Sequence, residues 1–217
     1  MLDKKLTVYG DEDHARAYAA RWDSGAGRAR DRRKQRALSE AFGILGNATS
    51  VVDVPCGTGR MTAFLSRGRT YVGLDLSTAM LREAASRAPD ARYATADLTR
   101  LPLADACVDV AVCVRLMHLV RDPALRIAFL KELARVARVG VVVDFRHDRA
   151  VRTWFGRVRA RLGLRARPHN AHSLAAVTAE FEAAGLAHPR FVPVRRPAAL
   201  SDKMVAVATP VRRGELA

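Results

Sequence analysis

The chain has 217 residues and a formal net charge of +15, a length that suits one α/β domain and leaves little room for a second. Nowhere do eighteen uncharged apolar residues run together and the first residues resemble no signal peptide, so no transmembrane segment is expected and a cytoplasmic protein is. Three cysteines, Cys56, Cys107 and Cys113, form no CxxC pair, which argues against a disulfide framework and against a zinc site; no metal is expected.

In chain order, residues 1–46 read as an N-terminal helical cap segment. Leu38, Ala41, Phe42 and Leu45 stand at the spacing of one buried helix face, and the preceding GRARDRRKQR reads as the solvated part of the same helix or as a basic arm. From there to the end, 47–217, short β-branched runs alternate with helical stretches, the pattern of βαβ units and a parallel sheet. Strands are expected at 50–54, 70–75, 92–94, 108–114 and 139–145, with helices near 59–66, 77–88 and 123–137. Ser77 and Asp122 suit N-caps and Pro123 a first helical position. The arginine-rich stretch from Arg146 to Pro168, within the variable segment 146–172, carries Val151, Trp154, Phe155, Val158 and Leu162 at helical spacing. It reads as an inserted amphipathic helix, either packed on the core or lying on an anionic membrane surface. A helix over 173–184 ending at Gly185 and two extended stretches, 187–194 and 204–209, complete the chain.

The chemistry begins at VVDVPCGTGR, residues 51–60, where a buried strand runs through Asp53 into Gly57 and Gly59. Such a turn lets backbone approach a ligand at the carboxyl edge of a sheet. Asp75 closes the next strand, 22 residues after Asp53, where a carboxylate can accept hydrogen bonds from both hydroxyls of a ribose. The third glycine of a dinucleotide fingerprint and the GK[ST] of a phosphate loop are absent, so a nucleoside is supported and a pyrophosphate is not.

DVPCGTG at 53–59, VGLDLS at 72–77, ATADLTRLPLADACVDVAVC at 94–113 and LKELARVARVGVVVDF at 130–145 together resemble the class I S-adenosylmethionine-dependent methyltransferases. The wording of LPLADACVDV resembles the quinone, sterol and natural-product branch. The resemblance implies a Rossmann-like fold: an α/β, seven-stranded, mostly parallel sheet with helices on both faces, N-terminal helices and a helical insertion after the fifth strand. It implies S-adenosyl-L-methionine as cofactor and S-adenosyl-L-homocysteine as product.

Carried over by position, Asp53, Pro55, Cys56, Gly57, Thr58 and Gly59 would hold the methionine end of the cofactor. Asp75 would bind the ribose, with Leu76 and Met80 against sugar or adenine. Asp97 and Leu98 would lie at the adenine, and Val114 and Arg115 on the sulfonium and substrate side. Tyr18 and Arg21 would close over the cofactor, and Trp22, Arg146 and His147 would contribute to the acceptor site. His118, just past the fourth strand, is the candidate general base, and His169 and His172 are further polar candidates. Asp109 is expected to be structural. Two departures stand out: Pro55 where glycine is common, a position unable to donate a backbone hydrogen bond, and a shortened loop at 138–140 before the fifth strand.

The expected acceptor is a small or lipid-like molecule. The basic charge also admits RNA, other nucleic acid or an anionic membrane surface contacted through the arginine-rich face, or simple compositional bias. A noncatalytic cofactor-binding protein is the remaining alternative, disfavoured by the intact acids at 53, 75 and 97. Oligomeric state is not legible.

Overall fold

Valine-rich runs bounded by turn residues pair into one seven-stranded sheet in the computed structural model, which describes residues 11–148 and 171–211. The strands are β1 (Ser50–Asp53), β2 (Thr70–Asp75), β3 (Arg92–Thr95), β4 (Val108–Cys113), β5 (Ala137–Arg146), β6 (Arg190–Pro193) and β7 (Lys203–Ala208). Their order is β3-β2-β1-β4-β5-β7-β6. The pairs from β3 to β5 are parallel, and β7 runs antiparallel to both β5 and β6. Strand order reverses between β1 and β4, so a crevice opens at their carboxyl ends, the usual ligand position in such sheets.

The helices are α1 (Glu12–Trp22), α2 (Gly25–Leu45), α3 (Thr62–Leu65), α4 (Thr78–Arg87), α5 (Pro123–Val136) and α6 (Leu174–Ala183). They cover both faces because the central strands are apolar on both faces. In β4, Ala111 and Cys113 join one core with Leu130 and Leu133 of α5 and Phe181 of α6. Val110 and Val112 point the other way, to Leu38, Ala41 and Phe42 of α2 and Leu65 of α3. β7 divides likewise, Ala206 to the first core and Val205 and Val207 to the second, as the two-residue period of a strand requires.

Local signals act as expected at several boundaries. Ser77 Oγ accepts from the Met80 N–H at 3.2 Å and Asp122 Oδ1 from the Ala124 N–H at 2.9 Å, capping α4 and α5. Asp109 ties the start of β4 to the residues entering β1: its Oδ2 accepts from the Thr49 N–H at 2.7 Å and the Ser50 N–H at 3.0 Å, and its Oδ1 from Arg138 Nε at 2.6 Å. Burial would raise this carboxyl, but those hydrogen bonds outweigh it and hold Asp109 well below the usual carboxylate range. Arg126 of α5, itself buried, pairs with Glu180 and so joins α5 to α6.

Two expectations are corrected. The helix expected over 59–66 contracts to the four residues of α3, because Gly59 takes φ +71° and residues 54–61 stay in turn conformation. A Cβ at Gly59 would lie 3.0 Å from Ala84 of α4, so the turn packs against α4 where only glycine fits. The basic stretch before Leu38 is not uniformly solvated: Lys34 lies on the buried face of α2, 6% exposed. The amphipathic helix expected over 146–168 falls on 149–170, and His169 with it, outside the described residues.

Candidate active site

One cavity of about 910 Å³ opens at the carboxyl edge of β1, β2, β4 and β5 and is walled on its outer side by α1 and α2. Its first end is the glycine turn. Asp53, Pro55, Cys56, Gly57 and Thr58 line it together with Asp75, Leu76 and Met80. The Asp75 carboxylate accepts from the Gly57 N–H at 2.8 Å and the Ser77 N–H at 2.9 Å, which orients both oxygens and leaves each with a lone pair. Burial raises Asp75 above the usual carboxylate range, and those backbone N–H groups oppose the shift. Asp53 is pushed up to about 8, first by burial and then by the neighbouring charge of Asp75, against a hydrogen bond from the Tyr71 hydroxyl at 3.3 Å. Thr58 Oγ1 is buried with no hydrogen-bond partner among the described residues. Leu76 is 58% exposed, an apolar side chain turned into the cavity rather than the core.

The opposite end is built from α1, α2 and the ends of β4, β5 and β7. Trp22, the last residue of α1, is the centrepiece: the Arg60 guanidinium carbon lies 3.5 Å from its ring centroid and that of Arg115 4.2 Å. Arg60 also pairs with Asp31 of α2. Burial, and then the adjacent positive charge of Arg115, lowers Arg60 to about 10. Arg115 has φ +73°, uncommon for a residue with a side chain, and its N–H donates to Asp144 Oδ1. Asp144, near the end of β5, also accepts from Lys34 of α2 in a buried ion pair. Burial alone would raise Asp144, but Lys34 and the surrounding cations hold it well below the usual carboxylate range. Lys203, first in β7, also lines the cavity, lowered to about 8 by burial, with Lys34, Arg115 and Arg146 reinforcing the shift.

The sequence candidates thus divide. Tyr18, Arg21, Trp22, Val114, Arg115 and Arg146 line the cavity with the glycine-turn group. Gly59 does not; it packs against α4 behind the turn. Asp97 is exposed, its Oδ1 accepting from the Thr99 N–H at 2.8 Å, and Leu98 is buried in the core under α5, so neither is among the described lining residues. His118 is also absent from the lining, and burial, with the nearby cations, lowers it to about 3, so it stays neutral and weakly basic. His147 and His172 meet through a backbone bridge and are not among the described lining residues, although their neighbours Arg146 and Ala171 are.

Sequence reasoning missed Asp31, Lys34, Arg60, Asp144 and Lys203. Two of these had a readable signal. Lys34 continues the apolar spacing of Leu38, Ala41 and Leu45 by one turn, and Asp144 interrupts the apolar run of β5 at VVVDF. A lysine on a buried helix face and an acid inside a buried strand each require an opposite charge.

Residues 51–140 match the family described as "Methyltransferase domain". A demethylmenaquinone methyltransferase of Beutenbergia cavernae is 36% identical over 119 residues, covering 53% of this chain and 48% of that protein. A malonyl-[acyl-carrier protein] O-methyltransferase of Pectobacterium atrosepticum is 38% identical over 96 residues, 44% of this chain and 37% of that protein. The chain thus spans half or less of the length of these curated relatives. A solved structure from Thermotoga maritima, described as an SAM-dependent methyltransferase and possible histamine N-methyltransferase, superposes with a TM-score of 0.64 at 18% identity. That likeness covers 91% of this chain and 96% of that one. Residues 51–140 thus match a methyltransferase domain, and the seven-stranded sheet around them is the fold that the chain shares with the Thermotoga maritima structure.

Proposed function

We propose that the chain transfers a methyl group from S-adenosylmethionine to a small-molecule or lipid-like acceptor and releases S-adenosylhomocysteine. The observation that carries this reading is one cavity joining a carboxylate-lined glycine turn to a separate end walled by α1 and α2. Its volume, about 910 Å³, is large for a single ligand and suits a nucleoside beside a second molecule.

The residues at the glycine turn fit the cofactor. Asp75 offers two oriented oxygens for the ribose hydroxyls, and Leu76 offers an exposed apolar surface for sugar or base. Thr58 Oγ1 is a buried hydroxyl in want of a polar partner, as the amino acid end would provide. Asp53, neutralised by burial, would regain its charge beside the ligand's ammonium group. Pro55 donates nothing, and the neighbouring N–H of Gly57 is already committed to Asp75.

Bound S-adenosylmethionine supplies a methyl group made electrophilic by its sulfonium. The chain's own contribution is alignment and exclusion of water. Val114 and Arg115 follow β4 into the cavity, and the Asp144 carboxylate, held by Lys34, fixes the Arg115 backbone there. Tyr18 and Trp22 of α1 cover the outer side. With His118 off the wall and lowered to about 3, the mechanism relies on positioning rather than on that histidine as base.

The test is incubation of the protein with methyl-labelled S-adenosylmethionine and fractionated small molecules from the host, with the labelled product identified by mass. A discrete product heavier by one methyl group supports the reading. No labelled product from any fraction, with the cofactor demonstrably bound, favours a noncatalytic binding protein.

A further inference from the structure

The cavity as a whole carries an excess of positive charge greater than the single carboxylate of the proposed cofactor would offset. Nine basic side chains against four aspartates line the cavity as a whole. Asp53 and Asp75 stand at the glycine turn, and the other two are paired, Asp31 with Arg60 and Asp202 with Arg146. Four guanidinium groups lie within about 6 Å of the Trp22 ring, those of Arg60 and Arg115 nearest, and the charge of Arg115 disfavours that of Arg60.

Two donors here lack partners. Arg60, with a side chain 10% exposed, directs Nε and Nη2 to Asp31, while its Nη1 is buried with no hydrogen-bond partner among the described residues. Arg115 Nε is in the same state. A buried unsatisfied donor costs stability, and a charged one costs more. Lys203 also lines the cavity, and Asp144, a buried carboxylate that acts on Lys203, is already committed to Lys34 and the Arg115 backbone.

We infer that this end is an oxyanion subsite: the acceptor carries a carboxylate or phosphate that Arg115, Arg60 and Lys203 hold. Planar guanidinium groups present parallel N–H donors that match such oxyanions, and the ammonium adds a point charge. The pocket would therefore select acceptors by their charge as well as their shape, and a neutral isostere would leave the same donors unpaired. This inference rests on the methyltransferase reading only for the name acceptor; the anion site itself stands on the cations.

Calorimetry on the full chain at constant ionic strength tests it, with benzoate, phenyl phosphate and neutral benzamide as probes, each titrated with and without saturating S-adenosylhomocysteine, which is also titrated alone. Oxyanion binding abolished by S-adenosylhomocysteine would assign the cations to the cofactor's own carboxylate and overturn the inference. At least one oxyanion is expected to bind tenfold or more tighter than benzamide, and whichever oxyanion leads identifies the group. Arg115→Gln and Lys203→Gln are each expected to weaken it at least fivefold. Lys203→Gln, at the first residue of β7, carries the test if Arg115→Gln does not fold. Benzamide binding as tightly as both oxyanions, no binding of either oxyanion, or both variants binding like wild type would overturn the inference. Oxyanion binding without S-adenosylhomocysteine binding would support the subsite and count against the cofactor reading instead.

Discussion

Asp53 and Asp144 stand near the carboxyl ends of β1 and β5, both buried, one strand to either side of β4. Burial pushes both carboxyls up, and their partners decide the outcome. Asp53 meets only a tyrosine hydroxyl and another acid and rises to about 8; Asp144 meets a lysine and falls well below the usual range. The consequence for Asp53 is a stability cost at neutral pH. With a raised folded-state pKa, the folded chain keeps a proton that the unfolded chain has lost, so stability falls as pH rises from about 4 to about 8, at about 1.4 kcal/mol per unit. Asp53→Asn removes that titration and can still accept from Tyr71. Urea unfolding of the protein alone should find the variant more stable than wild type by an amount that grows between pH 5 and pH 8, reaching a few kcal/mol, while cofactor affinity is lost. A constant difference across that range would show that Asp53 is already ionised in the folded chain.

At the scale of elements, α2 links the site to the sheet. Its apolar face packs on Val110, Val142 and Val205, and one turn earlier Lys34 reaches Asp144 under the cavity floor. Lys34→Met would leave Asp144 buried without its counter-ion, a change that costs about 3–5 kcal/mol in comparable buried pairs. Chemical denaturation at pH 7 should find that loss. The deficit should narrow below about pH 4, because the wild-type stabilisation by a depressed carboxylate is itself lost as pH falls. The apolar period of α2 was readable from Leu38 onward, but ten mostly charged residues before it looked like a solvated face. Charge runs hide a buried member because hydropathy averages over the run, and the partner, Asp144, stands 110 residues away. The same holds for α3: three of the residues expected in its first turn were claimed by the glycine turn, whose geometry follows from contact with α4 rather than from local propensity.

For the whole molecule, the strand sequence, the capping residues and the glycine-turn acids were legible because each rests on a local pattern. Alternating valines, a serine before a helix and an acid ending a strand each carry their meaning within ten residues. The acceptor end was not, since it gathers α1, α2, the glycine turn and three strand ends from across the chain. Asp97 and His118 show the converse: their places in the sequence order suggested the cavity, while the turn after β3 and the packing after β4 direct them elsewhere. The +15 charge likewise gains a partial location, with nine basic side chains lining one cavity instead of spread over a surface alone.

The central claim is that the glycine turn holds the amino acid end of the cofactor and Asp75 its ribose. Titration of S-adenosylhomocysteine into wild type and Asp75→Ala by calorimetry tests it most directly, with circular dichroism confirming that the variant is folded. The account predicts saturable one-to-one binding to wild type and a loss of at least a hundredfold in Asp75→Ala, as removal of two charge-assisted hydrogen bonds would produce. Unchanged affinity in a folded variant would contradict it.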